Sequence, residues 1–161
     1  MSSRYLYSYN SEKLTASDRN AIDHFNKNFQ HQKPFDNSKF SNSFYKVLNN
    51  GKEQYTKPVY VLVNEKSFSA ATIFTSVFKG LPNVIIVGET TDGSSGNSRK
   101  FYLKNSNIRI KVSTILSFQR NGKTLDGNGT VPDIVIPADE VQVLKGFDNQ
   151  LSKLIEIINN G

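Results

Sequence analysis

The chain has 161 residues, which suits one ordinary domain with a real core, and it carries a net charge of +6. It contains no cysteine, which excludes disulfides, a thiolate nucleophile and zinc–thiolate sites, and its two histidines are too few for a histidine-rich metal centre. Lys and Arg are spread along the whole chain with acidic residues between them, so nucleic-acid binding is not expected.

Residues 1–57 are predicted to form an N-terminal segment that is polar and mostly irregular. An edge strand is predicted near Tyr5–Tyr9, and an amphipathic helix is predicted to start at Ser17. His24 lies on this helix and is predicted to be a solvated or half-buried structural histidine. The rest of the segment is predicted to be a long loop, with one short helix near Phe40–Leu48.

Residues 58–161 open with a strand, a helix and a second strand. Val59–Val63 and Val84–Val87 are short apolar runs rich in β-branched residues, which indicates buried strands. Between them, the apolar residues from Ala70 to Phe78 recur at helical spacing. Because two strands joined by a helix form a parallel pair, the sequence predicts a βαβ unit here.

The remainder of the chain is predicted to contain shorter strands and a closing helix. Alternating apolar residues predict antiparallel strands at residues 101–103, 108–112 and 115–118, and Asn121-Gly122 predicts a turn. Residues 132–137 form a short strand bracketed by prolines, which suits a sheet edge. The closing helix is predicted to begin at about Asp148. No cofactor-binding or metal-binding motif is found, since the Gly88–Gly96 loop lacks the lysine and the following helix of a P-loop.

Ser69 is predicted to lie where the first helix of the βαβ unit begins, at the carboxyl end of its first strand. Open α/β folds place their sites at this edge of the sheet. Two interpretations of Ser69 follow. Serine is among the best N-cap residues, and on local grounds alone the capping role is favoured. A serine hydroxyl at the positive end of a helix is also placed to act as a nucleophile.

Three separated stretches, Ser67–Ala71, Val87–Gly93 and Asp126–Ile134, resemble the tail-specific, or C-terminal processing, serine protease family in order and spacing. Any one of them is a weak signal, but the three together are fairly specific. The similarity covers roughly Pro58 to Asn160, and a closing helix near Asp148 is typical of the family too.

The resemblance implies a ClpP- and crotonase-like α/β fold, a mixed sheet with a parallel βαβ unit at its centre and flanking helices. It implies that residues 58–161 are the C-terminal part of a serine peptidase catalytic domain, which hydrolyses peptide bonds in extended, often C-terminal, polypeptide. Ser69 matches the family's nucleophile, and the backbone amide of Ala70 matches one oxyanion-hole donor. Neither a cofactor nor a metal is implied.

The chain departs from the family's pattern at the general base. The processing proteases carry a lysine on the Gly-Glu-Thr loop, at the position held here by Ser94. Serine cannot take a proton from serine at neutral pH, so the match favours the tricorn-like branch, in which a histidine and an acidic residue complete the site. Asp126 lies near the place of that acid, although glutamate is usual there. The family histidine and the glycine-rich loop of the second oxyanion donor are not found in residues 1–57.

These departures leave more than one interpretation. The first is a serine endopeptidase of the tail-specific type, present here as a fragment that lacks its base and is inactive by itself, because the missing parts all lie upstream. The second is a non-catalytic peptide-binding domain derived from such a protease, which holds an extended chain by β-augmentation. A crotonase-like acyl-thioester enzyme shares the architecture but has no support in the glycine pattern.

The expected partner is a polypeptide substrate, and the oligomeric state stays open. No apolar stretch approaches the ~18 residues of a membrane span, and no signal peptide opens the sequence. The family resemblance implies an extracytoplasmic location, periplasmic or secreted.

Overall fold

The computed structural model describes residues 6–29, 43–46, 53, 55–139 and 144–160. Its contacts divide the chain into two compact units, Met1–Tyr55 and Thr56–Gly161. Tyr5, with which the predicted edge strand begins, and His31, the second of the two histidines, lie outside the described residues. The assignment of residues 58–161 to a catalytic domain stays a prediction.

The first unit contains one long helix and a minimal strand pair. Its elements are β1 (Leu6–Tyr7), α1 (Ala16–Phe29) and β2 (Tyr45–Lys46). The two strands pair antiparallel, Leu6 opposite Lys46 and Tyr7 opposite Tyr45. The predicted helix near Phe40–Leu48 is therefore wrong at Tyr45–Lys46, because these residues pair with a strand remote in sequence. The other residues of that prediction are not described, except two that precede the strand.

Helix α1 begins one residue earlier than predicted because Thr15 caps it. The Asp18 N–H donates to Thr15 Oγ1 at 3.2 Å, and the Thr15 N–H donates to Asp18 Oδ2 at 2.8 Å. The hydroxyl and amide of Thr15 hold the pKa of the Asp18 carboxyl below its usual value. His24 is exposed on this helix, and its Nε2 lies 2.8 Å from Asn28 Nδ2. His24 is therefore solvated, as predicted, and its structural role stays a prediction.

The second unit is built on a parallel sheet flanked by helices. Its elements in chain order are β3 (Val59–Val63), α2 (Ala70–Phe78), β4 (Val84–Gly88), β5 (Ser98–Tyr102), β6 (Arg109–Ser113), β7 (Ile134–Val135) and α3 (Asn149–Asn160). The sheet has the strand order β3-β4-β7, and both pairings are parallel. The predicted βαβ unit is confirmed, and so is the edge position of the proline-bracketed strand.

Two apolar clusters pack against β4. One contains Val63, Val84 and Ile86, with Phe78 of α2 against it, and the other contains Val87 and Leu154, the latter from α3. Because consecutive strand residues point to opposite faces, Ile86 and Val87 place the two clusters on the two sides of the sheet. Both side chains are completely buried. The helices therefore flank the sheet, as predicted.

The outer elements are less buried than their sequences suggest. β3 was expected to be fully buried, but it forms an edge of the described sheet, and its Leu62 is 37% exposed. In α2 the structure buries Thr72, Ile73 and Thr75, whereas Phe74 is exposed and stacks on Phe78. α3 begins after Asp148 as predicted, since Asp148 Oδ1 accepts the Leu151 N–H at 2.9 Å.

Strands β5 and β6 form an antiparallel hairpin in which Ser98 pairs with Ser113 and Tyr102 with Arg109. The third antiparallel strand predicted at residues 115–118 does not form in the described structure. An isolated bridge between Phe118 and Thr124 takes its place, around the predicted turn at Asn121-Gly122. Every helix of the described part of the chain is too short or too polar to cross a membrane.

Candidate active site

A short, tightly bonded turn joins β3 to α2. The Ser67 hydroxyl accepts the Asn64 N–H at 3.1 Å, and the Ser67 N–H donates to the Asn64 carbonyl at 2.9 Å. The Asn64 side-chain oxygen also accepts the Lys66 N–H at 3.0 Å. These local bonds fix the conformation of the turn. The following residue pair, Phe68 and Ser69, is therefore presented at a fixed place above the sheet.

Ser69 has a strained backbone and an exposed side chain. Its φ of 55° and ψ of −116° fall in a region that only glycine adopts readily, and such strain costs about 1–3 kcal/mol. Its hydroxyl makes no capping hydrogen bond to α2, so the capping interpretation, which local grounds favoured, is wrong. A serine held in this way between a strand and a helix has the geometry of a nucleophile elbow.

Two backbone hydrogen bonds hold Ser69 in its strained conformation, and the amide of the next residue stays unpaired within the described structure. The Ser69 N–H donates to the Ser94 carbonyl at 2.8 Å, and the Ser69 carbonyl accepts the Ile73 N–H at 3.2 Å. The N–H of Ala70, the first residue of α2, has no acceptor among the described residues. Ala70 is exposed. Its amide is therefore a donor without a partner in the part of the chain that the structure describes, at the positive end of a helix, where an anion is stabilised.

Thr72 supports the turn from below, a role that the sequence analysis missed. Its side chain is completely buried, and its hydroxyl donates to the Ser67 carbonyl at 2.6 Å. A glutamate at this position would close a capping box, whereas the threonine hydroxyl bonds the turn that precedes the helix. The signal in the sequence was a hydroxyl-bearing residue in the first turn of the helix, directly after the polar turn.

The Gly-Glu-Thr-Thr-Asp-Gly stretch packs directly on this turn. The Glu89 N–H donates to the Val63 carbonyl at 2.9 Å, and the Asp92 N–H donates to the Ser67 carbonyl at 3.2 Å. Gly88 has a φ of 118°, and a Cβ there would lie 2.0 Å from the Val63 carbonyl oxygen. This close approach explains the glycine at the end of β4.

Ser94, at the position of the family lysine, faces Ser69 through its backbone. Its own hydroxyl and N–H both donate to Asp92 Oδ1, the latter at 2.8 Å. These two bonds hold the pKa of the Asp92 carboxyl below its usual value. Ser94 therefore contacts the candidate nucleophile through its carbonyl, while its hydroxyl donates to Asp92.

The third stretch is locked to the second by buried threonines. The Thr91 N–H donates to the Thr130 carbonyl at 3.2 Å, and the Thr130 N–H donates to Thr91 Oγ1 at 2.9 Å. Gly129, at a φ of 64°, lies so close that a Cβ would be 2.0 Å from the Thr91 carbonyl oxygen. The Gly127 N–H donates to the Gly93 carbonyl at 3.2 Å. The three stretches that the sequence grouped by resemblance therefore meet in space.

Asp126 is half-buried and fully engaged in hydrogen bonds. Its Oδ2 accepts the Ser117 N–H at 2.6 Å, and its Oδ1 accepts the Ser95 hydroxyl at 2.8 Å. Asp126 lines a cleft of about 400 Å³ together with Ser94 and Lys111. The described residues show no ion pair at Asp126, and residues 56–161 contain no histidine.

Asp133 closes the third stretch onto the sheet, a role that the sequence analysis did not assign. Its Oδ2 accepts the Ile86 N–H at 2.9 Å, and its Oδ1 accepts a hydrogen bond from the Lys79 ammonium. Burial by itself raises the pKa of Asp133, but the bonds from Lys79 and Ile86 outweigh it and hold this pKa below its usual value. In the described part of the chain no cluster of three or more His, Cys, Asp or Glu side chains could hold a metal ion.

Comparisons with known proteins agree with this geometry. Residues 10–136 match peptidase family S41. A carboxy-terminal-processing protease from Bartonella bacilliformis is 28% identical over 97 residues, which cover 60% of this chain and 22% of that protein. The chain spans about a fifth of the length of the curated relatives it matches.

Solved structures give the same result for the fold. A candidate peptidase from Parabacteroides merdae superimposes with a TM-score of 0.59 at 27% identity, covering 72% of this chain and 38% of the other. Mature CPAF in complex with lactacystin superimposes with a TM-score of 0.57 at 26% identity, covering 89% of this chain and 30% of the other. The α/β architecture with its central βαβ unit is ClpP/crotonase-like, as expected.

Proposed function

Because the chain belongs to peptidase family S41, we propose that it forms part of a serine-type peptidase in which Ser69 is the nucleophile. One observation carries this proposal: Ser69 is exposed, strained and free of capping bonds at the start of α2. A structural cap would relax to an ordinary conformation and bond the first turn of the helix. A residue held against its backbone preference marks a functional site.

The proposed chemistry is acyl transfer. Ser69 Oγ attacks the carbonyl carbon of a peptide bond while a base takes its proton, and the Ala70 N–H donates to the oxyanion that forms. The protonated base then gives its proton to the leaving amine, and water hydrolyses the acyl-enzyme. Ser94 cannot serve as that base. Asp126 is proposed as the acid that orients the base, as in the tricorn-like branch.

The proposed substrate is an extended polypeptide, cleaved often near its C-terminus, and the proposed location is extracytoplasmic. The curated carboxy-terminal-processing relative supports this substrate class. The whole protein's activity is proposed from a chain that covers only part of its relatives. The 161-residue chain alone is proposed to be inactive, because the lysine position holds Ser94.

A second candidate function is peptide binding without catalysis. It is favoured by Ser94 at the base position and by β3, which lies at an edge of the described sheet. An extended peptide could add to such an edge through backbone hydrogen bonds. The strained Ser69 opposes this alternative, since a binding domain has no need of the strain.

A fluorophosphonate probe, which reacts only with activated serines, distinguishes the two functions. The chain is prepared as given and also with all residues that its gene encodes around it, each with and without Ser69→Ala. We expect labelling of Ser69 in the longer protein, none in Ser69→Ala, and none in the chain alone.

The other outcomes are equally informative. Labelling of the chain alone would show that a working base is present, and His24 or His31 would be mutated next. Absence of labelling in both proteins would contradict the peptidase proposal and favour peptide binding.

Stability gives a test of Ser69 that does not depend on turnover. If strain is stored at Ser69, then Ser69→Gly should raise the free energy of unfolding above that of the wild type by about 1 kcal/mol. Ser69→Ala should leave it nearly unchanged. A capping role predicts the opposite pattern, a loss of about 0.5–2 kcal/mol for alanine and no gain for glycine. Urea denaturation of the three proteins measures these differences.

A further inference from the structure

The β5–β6 hairpin has two chemically different faces. Residues directly opposite each other in an antiparallel pair project to the same side, and successive pairs alternate between sides. One side carries the pairs Ser98–Ser113, Lys100–Lys111 and Tyr102–Arg109, and the other carries the pairs Arg99–Val112 and Phe101–Ile110. The first side, here called the basic face, therefore concentrates Lys100, Arg109 and Lys111.

These three cations have no partner within the described structure. The ion pairs of the described residues are Glu65–Lys66 and Lys79–Asp133, so Lys100, Arg109 and Lys111 form none. Lys100 and Lys111 moreover lie directly opposite each other, and like charges in this position destabilise a strand pair. An anion bound between the two ammonium groups would relieve this repulsion.

The basic face borders the candidate active site. Lys111 lines the same cleft of about 400 Å³ as Ser94 and Asp126. The Ser94 carbonyl in turn accepts the Ser69 N–H at 2.8 Å. The cleft is therefore lined by Ser94, which is hydrogen-bonded to the candidate nucleophile. It is also lined by Lys111 of β6, which has no ion-pair partner in the described structure.

The acidic groups of the cleft make no ion pair with the basic face in the described structure. Asp92 and Asp126 are both lining residues, and each accepts hydrogen bonds from uncharged groups. Asp92 bonds to Ser94, while Asp126 bonds to Ser95 and to the Ser117 amide. Neither carboxylate is therefore ion-paired with Lys111, and the ammonium groups of the basic face remain available to a ligand.

We propose that the basic face of the β5–β6 hairpin binds carboxylate groups of the polypeptide substrate and so selects acidic sequences. This inference rests on the proposed function, because it takes the ligand of the cleft to be a polypeptide. Lys100 and Lys111 donate charge-assisted hydrogen bonds to the carboxylate, and binding removes their mutual repulsion. The carboxylate is that of an Asp or Glu side chain, because only a side-chain carboxylate distinguishes one sequence from another.

Binding of labelled peptides to the 161-residue chain, followed by fluorescence anisotropy, tests the proposal without any need for turnover. Three peptides separate the sources of the carboxylate: an acidic peptide with an amidated C-terminus, a neutral peptide with a free C-terminus, and a neutral amidated peptide. We expect the first to bind at least about fivefold more tightly than the other two, with the preference decreasing as salt is raised. Tighter binding of the second alone would show recognition of the C-terminus and would overturn the proposal.

Two charge reversals on the same hairpin locate the effect. Lys111→Glu, on the basic face, should weaken binding of the preferred peptide by about fivefold. Arg99→Glu changes the net charge equally but lies on the opposite face, so it should leave the affinity within about twofold. Circular dichroism checks that both variants keep the fold.

Equal losses in the two variants would overturn the proposal, since they would show an effect of net charge alone. Equal affinity for all three peptides, or no binding of any, would overturn it as well. The test is separate from that of the peptidase: labelling of Ser69 without carboxylate preference would contradict only this inference. Carboxylate preference without labelling would contradict only catalysis.

Discussion

Three loop segments, Ser67–Ala70, Gly88–Ser94 and Asp126–Asp133, meet in the second unit and are here called the loop junction. The loop junction and the β5–β6 hairpin are neighbours in the chain, but they are stabilised in opposite ways. The segments of the loop junction are joined to one another by backbone hydrogen bonds, with buried threonines and tightly packed glycines between them. The hairpin is ordered by the ladder between its own two strands, and all of its strand residues except Ser98 are exposed.

This difference in packing determines how strongly each region restricts its own sequence. In the loop junction a position such as Gly129 has no room for a side chain, so few residue types fit and the local sequence is diagnostic of the fold. In the hairpin many residues fit each position, because the side chains have little to pack against. What the hairpin specifies is the distribution of charge between its two faces.

The largest effect that separates the two regions is expected from Gly129→Ala. Its added Cβ would lie 2.0 Å from the Thr91 carbonyl oxygen, at a φ of 64° that alanine disfavours. Backbone strain of about 1–3 kcal/mol and overpacking of about 1–3 kcal/mol together predict a loss of about 3 kcal/mol or more in the free energy of unfolding. Urea denaturation measures this loss.

Gly127→Ala is the matched control, because it lies in the same segment. Its φ of 78° is also positive, but an added Cβ would meet nothing within 4 Å. It should therefore show the backbone strain alone, about 1 kcal/mol. Equal losses in the two variants would mean that the close packing of the loop junction does not stabilise the protein.

The same difference explains how much could be predicted from the sequence. The βαβ unit was predictable, because buried strands need apolar β-branched runs. The three loop segments were grouped in the sequence by their resemblance to a family, and the structure shows that they meet at glycines with no room for a side chain. The strain at Ser69 was not predictable, since a cap and a nucleophile elbow use serine at the same position. The strand at Tyr45–Lys46 was missed because its pairing depends on Leu6–Tyr7, far away in sequence.

Exposed elements were harder to predict in detail. The apolar residues at 115–118 follow a pattern typical of a strand. In the described structure, however, only Phe118 makes a β-bridge, to Thr124. Alternation reports a preference for extended backbone, whereas a strand also needs a partner with free hydrogen-bonding groups. The roles of Thr72 and Asp133 escaped prediction for a related reason, because each depends on a backbone group that only the folded chain brings near.

An intermediate effect is expected from Thr91→Val, which keeps the shape of the side chain and removes its hydroxyl. The Thr130 N–H, in a completely buried residue, would lose its acceptor. A buried donor without a partner costs about 1–3 kcal/mol, and the free energy of unfolding should fall by that amount. Thr75→Val makes the same change at an equally buried position. Its hydroxyl donates to the Ala71 carbonyl, which keeps its helical hydrogen bond, so little loss is expected there.

A similar loss in Thr91→Val and Thr75→Val would contradict the importance of the bond between the loop segments. It would show instead that both hydroxyls contribute only through packing. A large loss restricted to Thr91→Val would sharpen the comparison, because the hairpin contains no buried residue whose hydroxyl could have this effect.

The smallest effect is expected in the hairpin itself, from Lys100→Glu. The change replaces the Lys100–Lys111 repulsion by an attraction across the strand pair, which is worth about 0.2–1 kcal/mol. Hydrogen exchange of the hairpin amides should slow by up to about fivefold, since these amides exchange through local opening. Arg99→Glu, opposite Val112 on the other face, should not slow exchange, and salt near 1 M should remove the effect in Lys100→Glu. If an acidic peptide binds the basic face, it should slow exchange in the wild-type hairpin in the same way and have little effect in Lys100→Glu. Slower exchange in both charge reversals would instead show that the hairpin responds to net charge, and the distinction between its two faces would then lose its energetic support.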